Sequence, residues 1–301
     1  MMDVQGQGNA QPEQMVMTHQ QALDAAKAMG IDLLDAQLLL LHALGRSLHE
    51  RAWLLVHDTD PMLQDEQNQY IALLERRTIG VPVAYLTGVK EFYGLPFTVD
   101  RRVLVPRPDT ETLVEWASEL MTASAKKEKA ELFRVLDLGT GSGILAVTLE
   151  HLHPFVEMTA VDKSDAALSV AALNAADLLP PGQSIRFLQG EWFAPLEGER
   201  FDLIVSNPPY IAEHDEHLSA LVYEPIEALA SGQDGLDDIR KIIQQTPQHL
   251  LPGGWLLLEH GYDQAARVRE LLKQAGFSDV QTRQDLAGTD RITGACWKEH
   301  L

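Results

Sequence analysis

The tetrapeptide Asn207-Pro208-Pro209-Tyr210 follows an apolar, β-prone run, Phe201–Ser206, and its residue types point to a specific chemistry. Two consecutive prolines remove two backbone donors and stiffen the turn. What remains to face a cleft is acceptors, namely the Asn207 side-chain oxygen and the Pro208 carbonyl. A planar NH2 group carries two hydrogens and needs two such acceptors. Tyr210 adds an aromatic face for a flat group, and Pro209 stiffens the turn between them. The alternative is a rigid turn after a strand with no ligand.

Three further signals lie at the ends of other apolar runs. Asp137-Leu138-Gly139-Thr140-Gly141-Ser142-Gly143 follows one run and opens a helical segment. Its glycines allow a sharp turn and close approach of backbone to a ligand. A glycine-rich strand-to-helix turn could bind a dinucleotide or be only a tight turn. The G-x-G-x-G spacing of Gly139, Gly141 and Gly143 differs from the G-x-G-x-x-G dinucleotide pattern and weighs against NAD. Asp162 ends the next run, where a carboxylate can accept from both ribose hydroxyls of an adenosine. It could equally supply negative charge to the helix starting near Ser164; beside the glycine loop the ribose role leads. Glu191-Trp192-Phe193 follows the third run, and Trp192 could cover an adenine face or pack in the core.

The elements that must position these residues alternate. Strands are predicted at Phe133–Leu138, Glu157–Val161, Ile185–Leu188, Phe201–Ser206, Gly254–Glu259, Asp279–Thr282 and Arg291–Trp297. Helices are predicted at Ile144–His151, Ser164–Leu178, Leu236–Leu250 and Tyr262–Ala275, and from Asp109 to about Ala125. Such alternation implies a mostly parallel sheet covered on both faces, with the last two strands antiparallel across their short connection. The chain is expected to divide into a disordered tail (1–15), a helical unit for substrate docking (16–80), a hairpin linker (81–105) and a catalytic domain (106–301). In the helical unit Leu33, Leu34, Gln37, Leu38, Leu41 and Leu44 recur at helical spacing. The segment AKKEKAE reads as a charged, solvated connection.

The formal net charge is −20, and both the first hundred residues and the remainder are acidic. A phosphate backbone would be repelled by most of such a surface. Cys296 is the only cysteine, which excludes an internal disulfide and fits a reducing compartment. The polar first fifteen residues do not resemble a signal peptide, and Leu33–Leu44 is too short to span a bilayer. A cytoplasmic protein without membrane contact is expected. No histidine, cysteine or carboxylate spacing suggests a metal.

The glycine loop, Asp162 and Asn207–Tyr210 at successive strand ends resemble the class I S-adenosylmethionine methyltransferases. Asn-Pro-Pro-Tyr is similar to the motif of enzymes that methylate exocyclic or amide nitrogens. Among these the sequence resembles the release factor glutamine methyltransferase family. The likeness extends to Leu86-Thr87-Gly88, Glu91-Phe92-Tyr93-Gly94, Val105–Glu111, Glu224-Pro225, Ala228-Leu229 and Leu257–Gly261. It covers the chain from about residue 20 to the end and departs at Glu191, where an aspartate is expected before the tryptophan. The resemblance implies an α/β class I Rossmann-like sheet, with a small N-terminal helical bundle joined by a β-hairpin. It implies S-adenosylmethionine held by Gly139, Thr140, Gly141, Ser142, Gly143, Asp162, Trp192 and Asn207. Asn207, Pro208, Pro209 and Tyr210 would bind the substrate, with Asn207, Pro208 and Tyr210 in the catalytic role. The implied substrate is the glutamine of the Gly-Gly-Gln motif in class I peptide-chain release factors, methylated at N5.

Alternatives from the same fold are a ribosomal-protein glutamine methyltransferase and a DNA adenine methyltransferase acting on a flipped base. The Pro106–Glu111 block favours the release-factor branch over the first, and the acidic chain argues against the second. A dinucleotide oxidoreductase would leave Asn207–Tyr210 without a role, and a non-catalytic cofactor-binding module would transfer no methyl group.

Overall fold

A computed structural model describes residues 16–125 and 132–298. The expected tail and most of the AKKEKAE connection lie outside the described residues. The chain divides into two compact units between Thr87 and Gly88.

The first unit is helical. Helix α1 (His19–Ala28) starts at a capping box in which the Thr18 hydroxyl accepts from Gln21 N while Gln21 Oε1 accepts from Thr18 N. Asp32 caps α2 (Leu33–Ala43) by accepting from Leu34 N at 2.8 Å. Then follow α3 (Arg51–Val56), α4 (Gln64–Thr78) and α5 (Val83–Thr87). The buried face of α2 is Ala36, Leu39, Leu40 and Ala43, joined by Leu41, while Leu33 and Leu34 are exposed. The expected stripe is therefore rotated. With leucines at six of its eleven positions spread around the helix, hydrophobic spacing does not choose a face; packing against α4, where the Tyr70 hydroxyl donates to Ala36 O at 3.3 Å, does.

The expected hairpin over 81–105 is also corrected. Val83–Thr87 forms a helix, because Pro82 presets the first turn and its carbonyl accepts from Tyr85 N and Leu86 N. The hairpin is confined to β1 (Val89–Phe92) and β2 (Leu95–Thr98), paired antiparallel around Tyr93-Gly94.

The second unit continues through α6 (Glu111–Ala125), β3 (Phe133–Leu138), α7 (Ile144–Leu152), β4 (Val156–Asp162), α8 (Asp165–Leu178), β5 (Ile185–Gln189), β6 (Phe201–Ser206), α9 (Asp237–His249), β7 (Leu250–Glu259), α10 (Ala265–Gln274), β8 (Ser278–Gln284) and β9 (Asp290–Cys296). The seven strands lie in the order β5-β4-β3-β6-β7-β9-β8. All neighbouring pairs are parallel except those of β9, which runs antiparallel to both β7 and β8. The sheet is buried on both faces, so its central strands read as nearly continuous apolar runs. Leu136, Leu138, Ile204, Leu256 and Leu258 pack with Ile239, Ile242 and Val268 from the helices.

Register sets the site. Leu138 pairs with both Val161 and Ser206, Val161 with Leu188, and Ser206 with Leu258. The next residue of each strand therefore emerges at one edge: Gly139, Asp162, Gln189, Asn207 and Glu259. The chain leaves β3 for β4 on one side and β6 for β7 on the other. The crevice between β3 and β6 is thus the topological switch point, where open α/β sheets bind ligands.

Candidate active site

A cavity of about 440 Å³ opens at this edge, within the roughly 300–1,000 Å³ range of small-molecule sites. Gly139, Thr140, Gly141 and Ser142 line it, with Asp162, Trp192, Asn207 and Pro209. Gly139, Gly141 and Gly143 have φ of 73°, 57° and 84°, a left-handed backbone that favours glycine. The amides of Gly139 and Thr140 both donate to Val161 O, folding the loop over β4. Below it, Asp137 Oδ2 accepts from the Thr140 hydroxyl at 2.7 Å and from Ala146 N at 3.3 Å. Burial pushes the Asp137 carboxyl up to about 7.

Gly143 was expected at the cofactor but does not line the cavity. A Cβ there would lie 3.2 Å from Ala171 Cβ, so this glycine allows α7 to pack against α8. Asp162 does line the cavity, and each of its oxygens already accepts one backbone amide. Gly141 N donates to Oδ2 at 2.9 Å and Ser164 N to Oδ1 at 2.8 Å. Each oxygen keeps a further lone pair, so the carboxylate can both tie the loop and accept from a ribose diol. Ser164, accepting from Ala167 N, is the N-cap of α8, and Asp162 lies beside it at the helix start.

Trp192 sits at φ 50°, an uncommon backbone for a bulky residue. Its indole edge comes within 3.4 Å of where a Gly139 Cβ would stand. A glycine at 139 is therefore what lets the ring approach the loop. Glu191 lies at the rim and pairs with Lys241 at 3.4 Å.

At the end of β6, Asn207 Nδ2 donates to the Thr110 hydroxyl at 3.2 Å. Pro208 is buried, and Tyr210 lies outside the cavity lining. The Tyr210 ring packs on the core and its hydroxyl donates to Glu259 Oε1 at 3.3 Å. Glu259 is almost wholly buried, and burial pushes its carboxyl up to about 7. The sequence reading gave Glu259 and Thr110 no role. Glu259 could have been found by the rule that singled out Asp162, since both are carboxylates ending an apolar strand.

Other motif blocks build the cavity wall. Glu224 accepts from Val105 N at 2.9 Å and from Arg107 at 2.5 Å, joining two blocks distant in sequence. Glu111 accepts from Tyr93 N at 3.0 Å, tying the hairpin turn to the start of α6. Among the described residues no three histidine, cysteine or acidic side chains gather as a metal site, and no helix is long and apolar enough to cross a membrane.

Residues 111–234 match the family described as Methyltransferase small domain, and residues 15–88 match the PrmC N-terminal domain. A methyltransferase structure from Pyrococcus furiosus superposes with a TM-score of 0.51 at 18% identity, covering 75% of this chain and 98% of that one. The N-terminal domain of human METTL16 in complex with SAH gives 0.50 at 20% identity, covering 69% and 77%. Fold and site together define a class I S-adenosylmethionine-dependent methyltransferase. A release factor glutamine methyltransferase of Burkholderia pseudomallei is 46% identical over 91% of this chain and 95% of its own length. Namesakes in Bordetella pertussis and Salmonella typhimurium are 47% and 42% identical over 88% and 86% of this chain, and over 95% and 90% of their own lengths. The chain belongs to the release factor glutamine methyltransferase family.

Proposed function

We propose that this protein transfers a methyl group from S-adenosylmethionine to N5 of the glutamine in the Gly-Gly-Gln loop of class I peptide-chain release factors. The observation that carries the proposal is the Asn207 amide. Its NH2 is engaged by Thr110, so its oxygen is the edge left for a substrate at the cavity.

The residues present suit the cofactor. Asp162 offers carboxylate lone pairs for a ribose, Trp192 a flat apolar face for adenine, and Gly139–Ser142 a backbone that a ligand can approach. When bound, S-adenosylmethionine supplies a sulfonium-activated, electrophilic methyl group. The chain's own task is then position. A glutamine amide nitrogen is a weak nucleophile because its lone pair is delocalised into the carbonyl. Asn207 Oδ1 and the Pro208 carbonyl accept its two hydrogens, orient it and favour a more pyramidal nitrogen. The same oxygens stabilise positive charge developing on that nitrogen. Pro209 keeps both acceptors from shifting, and Tyr210 holds the far end of the turn.

The helical unit is the docking element for a folded protein partner in this reading. It carries none of the cavity residues and exposes Leu33, Leu55, Val56 and Leu63. Binding energy from such remote contacts helps position the reacting group. The acidic chain is suited to the cytoplasm and to a protein rather than a nucleic-acid substrate.

The test is to incubate the protein and unmodified release factor with labelled S-adenosylmethionine and locate the label by mass spectrometry. One added CH2 on the Gly-Gly-Gln glutamine supports the proposal. Label on DNA adenine, or on a ribosomal-protein glutamine with release factor untouched, overturns it.

A further inference from the structure

Pro208 and Pro209 have no amide hydrogen, so the middle of the catalytic turn cannot be tied down by its own backbone donors. We infer that Gln264 is a positioning residue whose side-chain amide clasps the Tyr210 carbonyl and so fixes the Asn207–Tyr210 turn, together with the stretch of cavity wall that grows out of it. The inference rests on the reading in which Asn207 and the Pro208 carbonyl accept the hydrogens of the substrate amide.

Gln264 is buried immediately before α10, and both ends of its amide are committed. Its Nε2 donates to Tyr210 O at 2.9 Å, and its Oε1 accepts from Gly261 N at 2.8 Å. A carbonyl oxygen can only accept and a backbone amide can only donate, so the side-chain amide has one possible orientation. Gln264 N also donates to Gly261 O at 3.0 Å, closing a tight turn that aims the side chain back at Tyr210. The same segment receives the other end of Tyr210, whose hydroxyl donates to Glu259 Oε1 at 3.3 Å. Register explains the meeting: Ser206 and Leu258 are paired, so residues 207–210 and 259–264 leave adjacent strands side by side.

The clasp sits at the base of an excursion, residues 211–235, between β6 and α9. Its two stems are joined where Ile211 N donates to Leu229 O and Ser231 N donates to Ile211 O, both at 2.9 Å. Pro225, Glu227 and Ala228 along the excursion line the cavity. Where the excursion returns, Gln264 Nε2 lies 3.5 Å from Gly235 O. Gly235 has φ 73°, and a Cβ there would overlap Tyr210 O and lie 2.8 Å from Gln264 Nε2. Glycine at 235 is thus what lets the returning stem close over the clasp. One buried amide holds the catalytic turn at the point where the cavity wall departs and meets that wall again where it comes back.

Gln264→Met keeps the length of the side chain and removes its polar atoms. Its kcat on release factor should fall on the order of ten- to a hundredfold, with S-adenosylmethionine affinity within about threefold, because Gly139–Ser142, Asp162 and Trp192 come from other strand ends. Gln264→Glu is the second variant and covers the case in which Gln264→Met fails to fold. It keeps the acceptor for Gly261 N, but near pH 8 its ionised carboxylate cannot donate to Tyr210 O. It should lose kcat alike. A further measurement needs no substrate. The chain holds two Tyr-Ile peptides, Tyr70-Ile71 and Tyr210-Ile211. Carbonyl-labelled tyrosine with nitrogen-labelled isoleucine therefore gives two resonance pairs, and Tyr70→Phe removes one of them. The Tyr210 carbonyl resonance should move in Gln264→Glu while that of Tyr70 stays. An unmoved Tyr210 carbonyl, or kcat equal to wild type in the folded variants, would overturn the clasp. A loss of cofactor affinity as large as the loss of kcat would overturn the positioning role. Failure of wild-type enzyme to methylate release factor would instead count against the proposed substrate, and the carbonyl resonance would still decide the clasp.

Discussion

The Ser206 hydroxyl donates to the Leu138 carbonyl at 2.7 Å, from the last residue of β6 to the last residue of β3. The two residues are register partners, and the bond lies in the fully buried sheet directly beneath the crevice. It holds together the strand ends from which Gly139 and Asn207 emerge. Ser206→Ala should lower stability by about 1 kcal/mol, the usual net loss for one buried hydrogen bond. Thermal unfolding measures it, and an unchanged Tm would mean that the bond adds nothing to the parallel ladder.

Asp162 ties the glycine loop and faces the cavity at once. Asp162→Ala removes the acceptor for Gly141 N and Ser164 N together with the proposed ribose contacts. S-adenosylmethionine affinity should fall at least about tenfold, as loss of one charge-assisted hydrogen bond requires. Asp162→Asn, which keeps one acceptor oxygen, should fall less. Titration calorimetry on folded variants decides; equal affinity in all three proteins would place the ribose elsewhere.

Asn207 should matter to turnover more than to cofactor binding. Its oxygen acts on a substrate NH2 whose charge develops only during transfer. Asn207→Ala should reduce methyl transfer by on the order of a hundredfold or more. Cofactor affinity should change much less. Single-turnover kinetics beside cofactor titration separates the two, and near-normal transfer by Asn207→Ala would refute the acceptor role.

Glu150 on α7 is 3% exposed, has no partner for Oε2 among the described residues, and is pushed by burial from 4.5 up to about 7. A carboxyl with a raised folded pKa contributes stability that is full below its unfolded pKa and is lost as pH rises through the folded value. The loss from this residue therefore falls between about pH 4.5 and 7. Glu150→Gln should match wild type near pH 4 and exceed it by up to about 3 kcal/mol at pH 8. Denaturant midpoints at the two pH values test the sign, and a variant less stable at pH 8 would contradict it.

Much of the catalytic unit was legible because its signals are local. An apolar run ending in glycines, in Asp162 or in Asn207-Pro208-Pro209 reports the carboxyl end of a buried parallel strand without knowledge of its neighbours. Phe133–Leu138 and Phe201–Ser206 were placed with their observed bounds for this reason. Where local signals conflict or are uniform, the reading failed. In α2 six of the eleven residues are leucines spread around the helix, so spacing could not choose the buried face. At Val81–Thr87 the β-branched residues suggested a strand, but Pro82 and the packing of α5 against α2 and α4 made a helix.

By itself the sequence determined the order of strands and helices, the glycine loop, the strand-end carboxylate Asp162 and the Asn-Pro-Pro-Tyr turn, because backbone conformation and hydrogen-bonding capacity belong to the residues themselves. Only the tertiary structure decided which strand ends are neighbours. It separated Gly143, which packs two helices, from the glycines at the cavity, and it joined Glu224 to Arg107. It also brought Thr110, Asn207, Tyr210 and Glu259 together from three segments. Those relationships depend on sheet register and on the burial of groups far apart in the chain, and no spacing along one segment encodes them.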